Sequence, residues 1–307
     1  MLTVVWSFIL LTRPVFLLGG ALLYGLGAAI AAASGASIDW GRYALGQTIV
    51  TAIQLTTHYA NEYFDLEADR LIGANRTWFS GGSGILASGR LAPQVALNAA
   101  RVCAFAALVA IAILLTIEPA MSAIGALALL GGWFYSAPPA RLVASGFGEV
   151  TTALIVAVLA PLSGTVMQRG PIDERLIAIA LPLVLIHIAM LLTFEFPDFD
   201  ADRQAGKRTL VVRLGRQRAA RLHNTLLAAA FVALWGTVAA GWIDARIAAW
   251  TLIGVPLAAW QAIGMVWRAR RGWRAYWILA ARGVGLFALT SAALLTGFLI
   301  EGGSSLR

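Results

Sequence analysis

Long apolar runs, each about the length of a membrane span, alternate with short polar stretches along this 307-residue chain. A helix needs about 20 mainly apolar residues to cross a bilayer. Nine runs fit: roughly 14–33, 43–61, 96–117, 120–137, 149–168, 176–196, 223–243, 246–267 and 276–299. Residues 2–11 are apolar but too short to span, which places them at the membrane interface. No basic residue precedes that run and Arg13-Pro14 interrupts it, so it does not read as a secretory signal. Pro161, Pro182 and Pro256 fall inside spans, where neighbouring helices tolerate them. The pattern predicts an all-α, polytopic membrane protein of nine transmembrane helices, forming a single domain over 1–307.

Composition narrows the function. Hydrophobic residues make up 60% of the chain and charged residues 12%, against about 45–50% and about 25% in soluble domains. A water-soluble enzyme, a nucleic-acid binder and a disordered chain are thereby excluded. The single cysteine, Cys103, rules out an intramolecular disulfide and a cysteine metal cluster. Of 23 basic residues 22 are Arg, and Lys207 is the one lysine. With alternating loops assigned to alternate sides, 17 basic residues fall on one side and 5 on the other, with Arg282 inside the ninth span. The positive-inside bias then puts the N-terminus in the cytoplasm and the C-terminus outside, in a bacterial or archaeal plasma membrane.

Acids are scarce and clustered. Of 15, four lie within 62–69 (Glu62, Asp65, Glu67, Asp69) and four within 195–202 (Glu195, Asp198, Asp200, Asp202). The octets follow the second and sixth spans, so both belong to the cytoplasmic face, in the two longest loops, roughly 62–95 and 197–222. The layout is that of a duplicated helix-plus-acidic-loop unit.

Within the first octet Asn61, Asp65 and Asp69 recur every fourth residue, which on a helix puts them on one face. Asp198 and Asp202 repeat the spacing, and Asp200 points away. Hard oxygen donors suit Mg²⁺, which takes one or two carboxylates plus water and phosphate oxygens. Two facing clusters can hold two Mg²⁺ with a diphosphate between them. The adjacent Arg70, Arg203, Lys207 and Arg208 complete the usual clamp for such a leaving group. The plainer reading is solvated loop acids balanced by these arginines, but two matched ladders on one face of an acid-poor chain favour the metal site.

Other polar features are less specific. Tyr135-Ser-Ala-Pro-Pro139-Ala-Arg141 ends the fourth span on the same face, where Tyr135 and Arg141 either reach the diphosphate or merely mark a helix stop. Ser80-Gly-Gly-Ser-Gly84 lacks the Lys-Ser/Thr ending of a P-loop and reads as a flexible loop or substrate lid. His58 and Gln54 lie one and two turns before Asn61, and His187 about three turns before Asp198. Polar groups within spans are functional candidates, so these residues, with Trp78 near the lid, are candidates for an acceptor pocket. Helix–helix hydrogen bonds are the alternative. The rim aromatics Tyr63, Phe64, Trp78, Phe79, Phe194, Phe196 and Phe199 suit either cation–π contacts or an interfacial belt.

The ladders Asn61-x-x-x-Asp65-x-x-x-Asp69 and Asp198-x-x-x-Asp202 resemble the two aspartate-rich motifs of the UbiA superfamily of intramembrane prenyltransferases. The resemblance extends to Arg13-Pro14-x-Phe16, the Tyr-Ser-Ala-Pro-Pro turn with Gly146-x-Gly148-Glu149, and the run Asp202 to Gly215. That last run is most similar to the branch that prenylates 1,4-dihydroxy-2-naphthoate in menaquinone synthesis. The chain departs from that branch at Phe194-Glu195-Phe196-Pro197, after Arg141, and at Glu62 where many members have Asp. The resemblance implies a UbiA-type bundle in which two Mg²⁺, on Asn61, Asp65, Asp69, Asp198 and Asp202, grip a polyprenyl diphosphate. Asp65, Asp69, Asp198 and Asp202 are the implied catalytic residues, and Arg70, Lys207, Arg141, Tyr135 and Arg208 the implied diphosphate binders. An aromatic acceptor, with naphthoate first, then attacks the allylic cation. Other superfamily acceptors (4-hydroxybenzoate, homogentisate, a glycerol-phosphate lipid, a porphyrin) and terpene cyclisation remain open, as does the oligomeric state. A transporter would carry its acids near the bilayer centre.

Overall fold

A computed structural model describes residues 2–268 and 273–305. Arg270, Arg271 and Arg307, counted above for orientation, lie outside the described residues. The described chain is helical, with no strand among the described residues. The elements are α1 (Leu2–Leu11), α2 (Pro14–Ala33), α3 (Trp40–Phe64), α4 (Leu66–Ile72), α5 (Pro93–Ile117), α6 (Pro119–Ser136), α7 (Leu142–Ser145) and α8 (Gly148–Leu154). A π-turn at Ile155–Leu159 leads into α9 (Ala160–Met167), followed by α10 (Glu174–Gln204), α11 (Leu210–Leu214) and α12 (Arg216–Ala239). α13 (Ala245–Ala249), a 3₁₀ stretch Trp250–Gly254, α14 (Val255–Arg268) and α15 (Trp273–Ser305) complete the chain.

Seven stretches are long and apolar enough to cross a membrane: α2, α5, α8 to α9, α10, α12, α13 to α14, and most of α15. The protein is an integral membrane protein. The two remaining expected spans are helices too, but they do not reach that apolar threshold. In α3 the reason is functional, because its last three turns carry Gln54, Thr57, His58 and Asn61 toward a cavity. In α6, 18 residues long, Pro119, three glycines, two serines and Tyr135 lower the mean apolarity of an otherwise Ala- and Leu-rich helix.

Small residues set the closest helix contacts, as expected where lipid supplies no hydrophobic drive between helices. Gly27 on α2 and Gly164 on α9 face each other's helices. A β-carbon on Gly27 would overlap the Pro161 carbonyl, and one on Gly164 the Tyr24 carbonyl. Thr165 Oγ1 donates to the Gly27 carbonyl across this contact at 2.9 Å. Pro161 cannot donate an N–H, and the π-turn just before it absorbs the mismatch in the ladder.

The acidic octets are not in loops as expected. α10 runs through Pro197 to Gln204, so Asp198 and Asp202 occupy its last two turns. Pro197 lies inside this helix rather than ending it. α3 ends at Phe64, and Asp65 (φ −97, ψ 1) links it to α4. The bonds Asp65 N–H to Asn61 O (3.0 Å) and Asp69 N–H to Asp65 O (2.9 Å) carry the four-residue rhythm across the break. Tested alone, Asp200 does project outward, exposed and paired with Arg216 at 2.9 Å.

Candidate active site

One cavity of about 460 Å³ opens where α3, α4 and α10 end, and its mouth is lined by Asn61, Asp65, Asp69, Asp198, Asp202 and Lys207. Its inner wall is apolar, including Leu23, Ile53, Ile155, Met190, Leu191 and Phe287. The two acidic ladders therefore meet across a greasy chamber. Between them sits Lys207, whose Nζ lies 3.0 Å from Asp65 Oδ2 and 3.6 Å from Asp202 Oδ1. Burial alone would lower the lysine's pKa. Asp65 and Asp202 more than offset this and hold it above its ordinary value.

Asn61 Nδ2 donates to Asp65 Oδ2 (2.7 Å) and Ser136 Oγ (3.0 Å), turning its carbonyl oxygen free of both bonds. Asp65 Oδ1 and Asp198 Oδ1 are buried with no hydrogen-bond partner. Burial, reinforced by Asp65 and Glu62 and opposed by Arg13 and Lys207, pushes the Asp69 carboxyl up to about 7. Among the described residues no three acidic or histidine side chains are drawn tightly enough together to cage a metal. The donor set nevertheless fits hard divalent cations: clustered carboxyl oxygens, two of them orphaned, at the mouth of a cavity.

Arg13 is a cavity residue that sequence reasoning did not place in the site. It adopts a left-handed backbone (φ 52), and both its Nε (2.8 Å) and Nη2 (2.7 Å) reach Glu62 Oε1. Burial opposes its charge, but Glu62 and Asp69 outweigh that and raise its pKa. Glu62 also accepts from Ser83 N–H (2.6 Å) and Ser83 Oγ (2.7 Å), which ties down the glycine-rich loop. That loop brings Ser80, Gly81 and Gly82 to the cavity. Gly82 has φ +66, and a β-carbon there would run into the Asp69 carboxylate. Gly82→Val is therefore expected to lower kcat/KM at least about tenfold by displacing Asp69, measured by steady-state transfer assays.

Aromatic rings line the wall beside the acids. Phe16 packs edge-on against Phe79 (6.4 Å), Phe194 (6.1 Å) and His58 (6.1 Å), and Phe79 stacks with Phe194 at 6.0 Å. Of the expected rim aromatics Phe79 and Phe194 face the cavity. Phe196 is buried against Tyr276, and Phe199 lies under the Arg216 guanidinium.

The other expected site residues divide. Tyr135, Gln54, His58 and His187 line the cavity. His58 Nδ1 is engaged by the Thr12 carbonyl (2.8 Å), and Gln54 Nε2 donates to the Phe16 carbonyl (3.2 Å), so both also pin the turn into α2. His187 is buried against Phe287, and its Nδ1 has no partner. Trp78 does not face the cavity and is 82% exposed; its neighbour Phe79 takes the inward position. Arg70, Arg141 and Arg208 are exposed and do not line the cavity. α4 turns Arg70 outward, and the left-handed backbone at Arg141 (φ 42) directs the chain away. The basic side chains that line the cavity are half-buried Arg13 and buried Lys207.

Comparison with known proteins agrees with this geometry. The chain matches the UbiA prenyltransferase family over residues 21–284. It belongs to that family. This UbiA prenyltransferase is 30% identical over 271 residues to the 1,4-dihydroxy-2-naphthoate octaprenyltransferase of Mycobacterium tuberculosis, covering 86% of each chain. The Bacillus subtilis protein of the same name is 26% identical over 195 residues, covering 62% of this chain and 60% of that one. Among solved structures, a UbiA homologue from Archaeoglobus fulgidus bound to DMAPP and Mg²⁺ superposes with a TM-score of 0.65 at 20% identity, covering 93% of this chain and 99% of that one. A digeranylgeranylglyceryl phosphate synthase gives 0.64 at 16% identity, covering 98% and 100%. At these identities the structures establish the shared fold. The UbiA enzyme's scaffold is thus that of an intramembrane prenyltransferase.

Proposed function

We propose that this UbiA enzyme transfers a polyprenyl group from an allylic prenyl diphosphate to an aromatic acceptor, 1,4-dihydroxy-2-naphthoate, on the route to menaquinone. The observation that carries the donor half is one cavity with paired acidic ladders, buried Lys207 and half-buried Arg13 at its mouth and an apolar chamber behind. The acceptor half rests on the naphthoate prenyltransferases to which most of the chain is similar. The N-terminus is cytoplasmic and the mouth faces the cytoplasm, following the arginine asymmetry.

Asn61, Asp65 and Asp69 on one side and Asp198 and Asp202 on the other would hold Mg²⁺, which supplies charge neutralisation for the diphosphate when bound. The chain's own cations, Lys207 and Arg13, face the same leaving group. As the C1–O bond breaks, the electron pair leaves with the diphosphate. Fixed positive groups in a dry site stabilise this growing charge more than the ground state. Phe16, Phe79 and Phe194 present ring faces and edges to the allylic cation and keep water from it. The acceptor ring carbon forms the new bond to C1. Loss of a proton, or of carbon dioxide from a carboxylated carbon, restores aromaticity. The prenyl tail occupies the apolar chamber.

Expression in a host lacking its own naphthoate prenyltransferase, followed by mass spectrometry of quinone lipids, is expected to show restored menaquinone. Prenyl transfer to 4-hydroxybenzoate alone, or cyclised hydrocarbon from prenyl diphosphate alone, would replace the acceptor assignment. Chelation with EDTA is expected to abolish turnover in purified protein, with Mg²⁺ restoring it; undiminished activity would refute the metal requirement.

A further inference from the structure

Two glutamates in the cavity wall, Glu149 buried and Glu195 half-buried, have no part in the steps above. Glu149 opens α8, Glu195 lies one turn before Asp198 on α10, and the cavity touches both. Glu149 Oε1 accepts from Leu210 N–H at 2.8 Å and Glu195 Oε2 from Val211 N–H at 2.9 Å. Together they grip the first two amides of α11.

The gripped segment is a strap that begins at Lys207. Lys207 N–H donates to Asp202 O (2.8 Å), and Arg208 N–H to Ala144 O (2.9 Å). Arg213 donates through Nε to Arg208 O (3.0 Å) and through Nη2 to Ser145 O. Gly206 (φ +75) and Gly215 (φ +74) bound it with left-handed turns. The strap thus joins the α6–α8 region to α10 and sets where the lysine ammonium stands between Asp65 and Asp202.

The two octets align as Glu62-x-x-Asp65-x-x-x-Asp69 and Glu195-x-x-Asp198-x-x-x-Asp202. Each leading glutamate accepts a backbone N–H from the segment that follows its ladder, Ser83 in one case and Val211 in the other. Both copies of the unit therefore place a backbone-gripping glutamate one turn ahead of the ladder.

We propose that Glu195 and Glu149 are positioning residues that hold the 207–211 strap and thereby place Lys207 for the diphosphate. This rests on the diphosphate reading above, so the test separates the two. Binding of inorganic diphosphate with Mg²⁺ is measured by calorimetry on purified protein, alongside KM for geranyl diphosphate. Glu195→Ala is expected to weaken diphosphate binding and raise KM about tenfold, with kcat changed less than about threefold. Glu195→Gln keeps an acceptor for Val211 N–H, and is expected to stay within about twofold of wild type. In a Lys207→Met background Glu195→Ala is expected to add nothing. Leu210→Pro, at the first position of α11 where proline is tolerated, removes the donor and leaves both glutamates, and is expected to raise KM several-fold. If Glu195→Ala does not fold, Leu210→Pro decides. Wild-type binding in Glu195→Ala or Leu210→Pro, or a full additional loss in the Lys207→Met background, overturns the proposal. Diphosphate binding that follows these variants, in a protein that prenylates no aromatic acceptor, upholds the strap and removes the acceptor assignment.

Discussion

Asp65→Ala and Asp198→Ala are each expected to abolish prenyl transfer, with kcat lowered by about a thousandfold or more, some 4 kcal/mol of transition-state stabilisation. Each removes a buried carboxylate with one oxygen that no protein group satisfies. The losses differ in kind. Asp65 also accepts from Asn61 (2.7 Å) and Lys207 (3.0 Å), so its removal frees the lysine. Asp198 stands near Asp202, Asp69 and Lys207 and next to Ser80 of the glycine-rich loop. Asp198→Asn, nearly isosteric, separates charge from shape and is expected to be as inactive as the alanine variant while unfolding at the wild-type temperature. Single-turnover assays with saturating prenyl diphosphate and Mg²⁺ check both. Activity within a few-fold of wild type in Asp65→Ala and Asp198→Ala alike would refute the two-ladder site.

Gly27→Leu is expected to be the most damaging substitution far from the chemistry. α2 and α9 approach so closely that even a β-carbon at Gly27 meets the Pro161 carbonyl, which is backbone and cannot swing aside. The helices would have to separate, breaking the Thr165–Gly27 bond and opening the wall that carries Leu22 and Leu23. Overpacking a good interface costs about 1–3 kcal/mol, and a backbone clash belongs at or above the upper end. A fall of about 6 °C or more in the thermal midpoint follows for a protein of this size, measured in detergent by a thiol- or tryptophan-based melt. Gly236→Ala, on α12 with open space around it, is the control and should melt with the wild type.

Local periodicity made the helices and ladders legible. Each expected span falls on helical chain, seven of the stretches being long and apolar enough to cross a membrane, although the ends differ by up to eight residues and 149–168 and 246–267 are interrupted by a π-turn and a 3₁₀ stretch. Asn61, Asp65, Asp69, Asp198 and Asp202 were readable because their spacing matches a helical turn. What escaped was nonlocal. Arg13 reaches Glu62 49 positions away, and Glu149 reaches Leu210 61 positions away. Spacing along one helix carries no trace of either contact. Arg70, Arg141 and Arg208 sit beside the motifs in sequence, yet all three are exposed and outside the cavity lining, because neighbours along the chain send their side chains in different directions. A weak signal for the gripping glutamates was present, since the octets share a glutamate three positions before the first aspartate of each ladder.

Lys207 is the chain's one lysine, 8% exposed and held protonated by two aspartates. The amine is enclosed and ion-paired, so amine-selective acylating reagents at neutral pH are expected to leave Lys207 unmodified in the folded protein. Loosening the strap would expose that single amine and make it reactive. One mass-labelled peptide would then report the state of the site, without engineered probes and without turnover.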